Sequence, residues 1–187
     1  MAERALPGLI LAAGGGLRYG GPKALARTAA GEPWLRHAAR ALDDGGVAPV
    51  IAVLGAAAEE ARTLLPHGIR TVVAERWADG IGASLAAGLA ALAETDAPAA
   101  VVTLVDLPGL PGEAVRRIIA PPVVPATLRQ ATYDAHPGHP VLLGREHWVP
   151  LSATLRGDSG ARQYLVAHGV EEIECGDLWS GEDVDRR

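Results

Sequence analysis

Short apolar runs alternate with segments of helical character along the chain, and this alternation restricts the possible folds more than any other feature. Branched aliphatic residues dominate the predicted strands, which cover residues 9–13, 47–55, 68–74, 99–105 and 122–128. The predicted helices cover residues 34–42, 58–65, 81–93, 112–120 and 161–168. Strands that alternate with helices form a mainly parallel sheet through right-handed crossovers. The sequence therefore predicts a single α/β domain over residues 1–187, a three-layer α/β/α sandwich with a mostly parallel central sheet.

Composition agrees with this architecture and argues against several classes of protein. Apolar residues make up 49% of the chain and aromatic residues only 4%, so the core consists mainly of aliphatic side chains. The net charge of -5 argues against a nucleic-acid-binding protein, which is usually basic. Cys175 is the single cysteine, which rules out an intramolecular disulfide and argues against a structural zinc site. The sequence shows neither a membrane span nor a signal peptide, and we expect a cytoplasmic protein with no nucleic-acid or membrane partner.

Residues 130–145 interrupt the alternation of strands and helices. This stretch, QATYDAHPGHPVLLGR, contains two prolines and two glycines. Because proline and glycine at this density mark turns, we expect a hairpin or lid that leaves the main sheet, within an excursion over about residues 130–160. His136 and His139 lie in a Pro-Gly turn with no cysteine nearby, so we expect them to shape the loop rather than to form a metal site.

The first predicted strand runs into a loop, GGGLRYGGPK, that is rich in glycine and contains two cations, Arg18 and Lys23. Glycine lets backbone N–H groups approach phosphate oxygens closely. The loop is not a dinucleotide fingerprint, because Tyr19 stands at the last glycine position, and Pro22 before Lys23 excludes the common phosphate loop. Two cations suit a triphosphate, which carries more charge than a diphosphate. The alternative, a flexible surface turn with solvated charges, fits less well because the loop directly follows a buried strand.

Asp106 follows the predicted strand 99–105, in the sequence VDLPGL. Ligands of open α/β sheets bind at the carboxyl ends of the strands. A carboxylate there can hold Mg²⁺, the hard, oxygen-ligated cation that triphosphate chemistry needs. The alternative is a turn-forming aspartate close to a proline.

These motifs resemble the MobA-like nucleotidyltransferases, which act on molybdenum cofactor and have a Rossmann-like fold. The loop matches their signature at LAAG (residues 11–14), Arg18, Gly20, Pro22 and Lys23, and Asp106 with Pro108 matches an Asp-x-Pro element. The resemblance implies a nucleoside triphosphate held by the loop backbone, with Arg18 and Lys23 on its phosphates and Asp106 on Mg²⁺. The residues that it places on the nucleotide in this loop are Ala13, Gly14, Gly15 and Gly16.

Three further segments support the resemblance. Residues 75–89 resemble the family segment that helps to bind base and ribose, which implies a role for Gly82 and Ser84. The segments GHPVLLGR (138–145) and GDSGARQYL (157–165) resemble elements of the molybdopterin cytidylyltransferase branch, also called MocA-like. They imply that His139 and Asp158 lie on the acceptor side of the cleft, with the excursion. Close packing of small residues is the alternative for the segment around Ser84.

The end of the chain departs from the family pattern, in which an Asp-x-Asp stretch completes the metal site. Here the stretch reads GDLWSGEDVDRR, and Trp179 stands where the second aspartate is expected. Two alternatives remain open: Asp177 joins Asp106 as a metal ligand from a shifted loop, or the second ligand is missing. We predict a metal site of Asp106 and Asp177.

The resemblance implies Mg²⁺-dependent transfer of CMP from CTP to a phosphorylated acceptor, molybdopterin. CTP is preferred over GTP because LAAG is typical of the cytidylyl branch, where the Ala13 methyl narrows the base pocket. Two alternatives stay open. The acceptor is a sugar phosphate or another small phosphorylated molecule, or the chain is a non-catalytic nucleotide or cofactor-binding chaperone that serves a molybdoenzyme. Trp179 is the main support for the chaperone.

Overall fold

The computed structural model describes residues 6–185, which form a seven-stranded sheet in the order β3-β2-β1-β4-β6-β5-β7. The strands are β1 (Gly8–Ala12), β2 (Val50–Leu54), β3 (Arg70–Val73), β4 (Ala99–Leu104), β5 (Leu128–Tyr133), β6 (His136–Gly144) and β7 (Glu171–Glu174). Strand β1 pairs in parallel with β2 and β4, and β2 pairs in parallel with β3. Strand β6 runs antiparallel to both of its neighbours, β4 and β5. The predicted mostly parallel sheet is confirmed.

Helices cover both faces of this sheet. They are α1 (Trp34–Asp44), α2 (Ala58–Leu64), α3 (Ile81–Ala93), α4 (Gly112–Ile118), α5 (Trp148–Thr154) and α6 (Arg162–Ala167). One buried core joins Ile10 of β1 to α1 and α4, and a second core joins Leu9 to α3, α5 and α6. Because successive strand residues point to opposite faces, Leu9 and Ile10 lie in different cores. The α/β/α sandwich predicted from the sequence is confirmed.

The order of the strands places a crevice at the end of β1. From β1 the chain passes to β2 and β3 on one side and then returns to β4 on the other side. The loops that follow β1 and β4 therefore diverge at a topological switch point, where α/β proteins bind ligands. This topology brings the glycine-rich loop after β1 next to Asp106, which follows β4.

The hairpin in residues 130–145 differs from the prediction in its position. Strands β5 and β6 form a hairpin whose turn, Asp134 and Ala135, has positive φ angles of 49° and 63°. The hairpin does not leave the sheet, because β6 pairs with β4 along residues 99–102. Val141 and Leu142 of β6 lie in the two opposite cores, so leaving the sheet would expose apolar side chains on both faces. The predicted strand over residues 122–128 is also wrong for most of its length, since β5 begins at Leu128.

No helix within residues 6–185 has the length and apolar character needed to cross a bilayer.

Candidate active site

A cleft of about 940 Å³ lies at the switch point between the glycine-rich loop, the start of α3 and the end of β4. Its wall contains most of the residues selected from the sequence, namely Ala13, Gly14, Gly15, Gly16, Arg18, Lys23, Ser84, Asp106 and Asp158. Trp77 and Asp185, which no sequence motif indicated, also line this cleft. The two cations of the loop thus lie in the same cleft as the carboxylate after β4.

The glycine-rich loop folds around the carbonyl oxygen of Gly16. This oxygen accepts hydrogen bonds from the backbone N–H groups of Tyr19, Gly20 and Gly21 at 3.0, 2.9 and 3.1 Å. Gly16 has a φ of +62°, and a Cβ atom there would lie 1.9 Å from the Gly21 oxygen, so only glycine fits. Within residues 6–185, no protein group accepts a hydrogen bond from the N–H groups of residues 14–18. These groups remain available for the oxygens of a phosphate chain.

Lys23 lies between two carboxylates. Its Nζ atom lies 2.8 Å from Asp106 Oδ2 and 2.8 Å from Asp185 Oδ1. Burial by itself lowers the pKa of Lys23, but hydrogen bonds to Asp106 and Asp185 outweigh it and raise the pKa above 10.5. Arg18 Nη1 lies 3.4 Å from Asp185 Oδ2 and is largely exposed. Both cations of the loop are therefore held by the carboxylate of Asp185.

Three carboxylates converge at the end of β4. Asp106, Asp183 and Asp185 each offer one oxygen, and these oxygens lie within 4.8 Å of one another. The second oxygen of Asp106, Oδ1, is buried and has no hydrogen-bond partner within residues 6–185. The chain end is held here because the Val184 N–H donates to the Asp106 backbone oxygen at 3.0 Å. An acidic cluster with an unpaired buried oxygen suits a divalent cation with oxygen ligands.

Asp177, which we predicted as the partner of Asp106, does not belong to this cluster. Its two carboxylate oxygens accept hydrogen bonds from Arg117 Nη1 and Nη2 of α4 at 2.5 and 2.9 Å. The hydrogen bonds from Arg117 lower the pKa of Asp177. The expectation fails because a bidentate arginine already binds both oxygens of this carboxylate.

Trp179 has a packing role. Its ring meets Tyr133 edge-on at 5.4 Å, and a Cβ atom on Gly109 would lie 2.6 Å from Trp179 Nε1. The sequence left two alternatives for the metal site, Asp177 as the second ligand or no second ligand. Neither describes the chain end, because the acids that join Asp106 are Asp183 and Asp185. The sequence did contain a signal for them, since residues two apart in an extended segment point to the same side. Trp179 instead packs the chain end against the core.

The start of α3 forms the opposite wall of the cleft. The Gly82 N–H donates to the Gly157 oxygen at 3.1 Å, which joins α3 to the turn that carries Asp158. At Gly80, where φ is +110°, a Cβ atom would lie 2.6 Å from Asp158 Oδ1. Ser84 is buried in this wall. The predicted site residues of this segment therefore lie together, and their roles toward a nucleotide stay predictions.

His139 lies in a second, smaller cavity of about 220 Å³, which we call the side chamber. Leu11, Ile81 and Leu104 line both the side chamber and the cleft, so the two are neighbours. Burial lowers the pKa of His139 to about 4, although the charge of Asp106 acts in the opposite direction. The imidazole is therefore neutral at physiological pH.

Comparisons with known proteins agree with this geometry. The family model described as the MobA-like NTP transferase domain matches residues 8–173. Nicotine blue oxidoreductase from Paenarthrobacter nicotinovorans is 35% identical over 201 residues, which cover 99% of this chain and 96% of that protein. Among solved structures, Rv0371c from Mycobacterium tuberculosis H37Rv has a TM-score of 0.80 at 29% identity and covers 100% of this chain and 95% of its own.

Two further comparisons concern a metal complex and the fold. A complex of Rv0371c with manganese has a TM-score of 0.74 at 28% identity, over 91% of this chain and 88% of that chain. A nucleotidyl transferase from Methanothermobacter has a TM-score of 0.81 at 19% identity, over 98% of this chain and 93% of that chain. At this identity the last likeness shows the fold alone.

Proposed function

The chain belongs to the MobA-like NTP transferase family, and on that premise we propose that it transfers CMP from CTP to a phosphorylated acceptor in a Mg²⁺-dependent reaction. The acceptor that the family resemblance implies is molybdopterin. One observation carries the proposal: Lys23 and Asp106 meet in a cleft that is also lined by the free N–H groups of the glycine-rich loop. Phosphoryl-type transfer depends mainly on such positioning and charge neutralisation.

The acidic cluster fits a divalent metal. Asp106 Oδ1 is buried and has no hydrogen-bond partner within residues 6–185. One carboxylate oxygen each from Asp106, Asp183 and Asp185 lie within 4.8 Å of one another. Carboxylate oxygens are the ligands that Mg²⁺ prefers. When bound, Mg²⁺ would neutralise charge on the phosphate oxygens of the nucleotide. The manganese complex of Rv0371c supports a divalent cation in a protein of this fold.

The residues of the chain would divide the remaining work. The N–H groups of residues 14–18 would bind the triphosphate, and Lys23 and Arg18 would offset the charge of the leaving pyrophosphate. A phosphate oxygen of the acceptor attacks the α-phosphorus of CTP, and the bond from that phosphorus to the bridging oxygen breaks. Lys23 and Arg18 now contact Asp185, so these ion pairs must open before the two cations can reach phosphate.

Preference for CTP is part of the proposal. Ala13 is buried in the cleft wall, and the ring of Trp77 lies against Gly15, where an added Cβ atom would be 3.2 Å from the ring. Ala13 and the indole ring of Trp77 both line the cleft, and together they would leave less width for a purine than for a pyrimidine. The preference is tested by titrating CTP and GTP in parallel, and equal or tighter binding of GTP would contradict it.

Release of pyrophosphate tests the transfer reaction. We expect release when the protein, CTP, Mg²⁺ and molybdopterin are combined, and none when Asp106→Asn replaces the wild type. A panel of sugar phosphates in place of molybdopterin distinguishes the two classes of acceptor. A protein that retains CTP and molybdopterin but releases no pyrophosphate would be the binding chaperone instead.

A redox activity is a second candidate. The full-length similarity to nicotine blue oxidoreductase favours it, as does a mainly apolar chamber next to a nucleotide-sized cleft. Absorbance of nicotine blue in the presence of a reduced nicotinamide dinucleotide tests this candidate. A change in absorbance that depends on the protein would support the redox activity. If no such change occurred, CMP transfer would remain the one proposed activity.

A further inference from the structure

The side chamber differs chemically from the cleft that it adjoins. Most of its wall is aliphatic and comes from β1, β4, β6, α3 and α6, with residues such as Leu85, Val102, Val141, Leu143 and Leu165. Its volume is about 220 Å³. An apolar cavity of roughly 150 Å³ is enough to bind benzene. We propose that the side chamber binds an uncharged, mainly apolar ring system of one or two fused six-membered rings.

Two polar groups limit where such a ring can carry a heteroatom. Gln130 is 8% exposed, and its Nε2 donates to the Gly138 oxygen at 3.1 Å. Within residues 6–185, no donor is bound to Gln130 Oε1, and no partner is bound to the ring nitrogens of His139. One amide oxygen and one neutral imidazole can therefore serve one polar edge of a ligand, while its remaining edges meet aliphatic carbon.

A sugar or other polyol does not fit this wall. Each hydroxyl that enters the chamber loses its hydrogen bonds to water and needs a protein partner in return. Gln130 and His139 can supply partners for one or two such groups. Within residues 6–185, the wall of the side chamber contains one charged residue, Arg162, which is exposed to solvent. A pterin, which has polar atoms around most of its edge, would have the same difficulty and would bind outside the chamber.

The position of the chamber connects it to the reaction. It shares Leu11, Ile81 and Leu104 with the cleft, and the charge of Asp106 acts on His139 in its wall. A ring in the chamber would thus lie beside the acidic cluster. The inference rests on the proposed function in one respect: the ring would belong to a small phosphorylated acceptor other than molybdopterin, and the phosphate of that acceptor would extend into the cleft.

Quinoline is a suitable probe, since it is a fused, uncharged ring with one nitrogen at its edge. We expect saturable binding of quinoline to the full chain by isothermal titration calorimetry, and no saturable binding of ribitol. Gly160→Leu should weaken quinoline binding by at least about tenfold by filling the chamber. An added Cβ atom at Gly160 would lie 3.8 Å from Ile81 Cγ2, which is an ordinary contact, so the variant should fold. Ala161→Phe provides a second filling variant.

Val166→Leu is the matched control, because Val166 lies on α6 with 70% of its surface exposed, and we expect unchanged binding. Three outcomes would overturn the inference. The wild type does not bind quinoline, quinoline binding survives in both filling variants, or ribitol or 6-methylpterin binds more tightly than quinoline. Binding of CTP and pyrophosphate release are measured separately in each variant. A protein that binds quinoline in the chamber but never releases pyrophosphate would contradict the proposed function and leave the chamber assignment intact.

Discussion

The ammonium group of Lys23 lies 2.8 Å from Asp106 Oδ2, although the two residues are 83 positions apart in the chain. Lys23 comes from the loop after β1, and Asp106 follows the adjacent parallel strand β4. The pair therefore results from the strand order. It places a positive charge at the acidic cluster, where a divalent cation and a triphosphate would also bind.

Lys23→Met should lower turnover by roughly 10²-fold, because a preorganised charge on the phosphates is lost. The side chains of Lys23 and Asp106 are each 15% exposed, so the substitution also leaves a mostly buried carboxylate without its cation. We expect a loss of about 1–3 kcal/mol in the free energy of unfolding without metal. Added Mg²⁺ should restore part of this loss. Chemical denaturation with and without Mg²⁺ checks the predicted loss of stability. Turnover of Lys23→Met equal to that of the wild type would contradict the predicted role of Lys23.

Asp106→Asn should abolish metal-dependent turnover, and Asp183→Asn should weaken it, because both carboxylates belong to the acidic cluster. Asp177→Asn serves as the matched control, since Asp177 binds Arg117 at the surface. That exposed pair contributes little to the stability of the protein, because solvent screens it. Turnover measured as a function of Mg²⁺ concentration separates the three variants. If turnover of Asp177→Asn no longer depended on Mg²⁺ while that of Asp183→Asn depended on it normally, the metal ligands would be Asp106 and Asp177, as the sequence predicted.

Asp185→Asn should have opposite effects in the absence and presence of metal. Without Mg²⁺, the carboxylate of Asp185 holds Lys23 and Arg18, so its neutralisation should tighten CTP binding by roughly threefold to tenfold. With Mg²⁺, loss of a carboxylate from the acidic cluster should lower turnover. Calorimetric titration of CTP in a chelator, followed by a turnover assay with Mg²⁺, measures both effects. Weaker CTP binding in the chelator would show that Asp185 does not compete with phosphate.

The stability of the protein should fall in acid partly through His139. Its pKa is lowered by burial to about 4 from an ordinary value of 6.5, so between these values the unfolded chain binds more protons than the folded chain. The free energy of unfolding therefore decreases as pH falls from about 6.5 toward 4. His139→Gln should lose less stability over this range than the wild type does. Urea unfolding at several pH values checks the difference, and parallel curves would contradict it.

Trp179→Ala should weaken the metal site from a distance. The ring packs against Tyr133 and anchors the segment that carries Asp183 and Asp185. We expect a loss of about 1–3 kcal/mol in stability and a higher Mg²⁺ requirement for turnover. Trp179→Phe is the control, because it keeps an aromatic ring against Tyr133. An unchanged Mg²⁺ requirement in Trp179→Ala would mean that the chain end is held by other contacts.

Local patterns were sufficient to predict much of the fold and of the cleft. Apolar runs such as residues 9–13 and 99–105 indicated buried strands, and the glycine-rich loop with Arg18 and Lys23 indicated a phosphate site. These features depend on neighbours along the chain, and the predicted cleft residues from Ala13 to Lys23 do line one cavity. The MobA-like family assignment from the same motifs is confirmed by the match over residues 8–173.

The predictions failed where partners distant in the chain decide the outcome. Residues 130–145 have the composition of an excursion, yet β6 adds to β4 because its aliphatic side chains are buried on both faces of the sheet. Asp177 was selected by its position in a motif, and nothing in the local sequence shows that Arg117 of α4 binds it. Long-range pairing of this kind depends on which surfaces the whole chain brings together.

The sequence alone determined that this protein is an α/β domain with a glycine-rich loop after its first strand and an acidic residue after its fourth strand, because these features follow from local chain chemistry. The tertiary structure alone decided that Asp183 and Asp185 join Asp106, that Lys23 lies among them, and that an apolar chamber adjoins the cleft. The physical reason is that charge neutralisation and burial act between groups that meet only after the chain has folded.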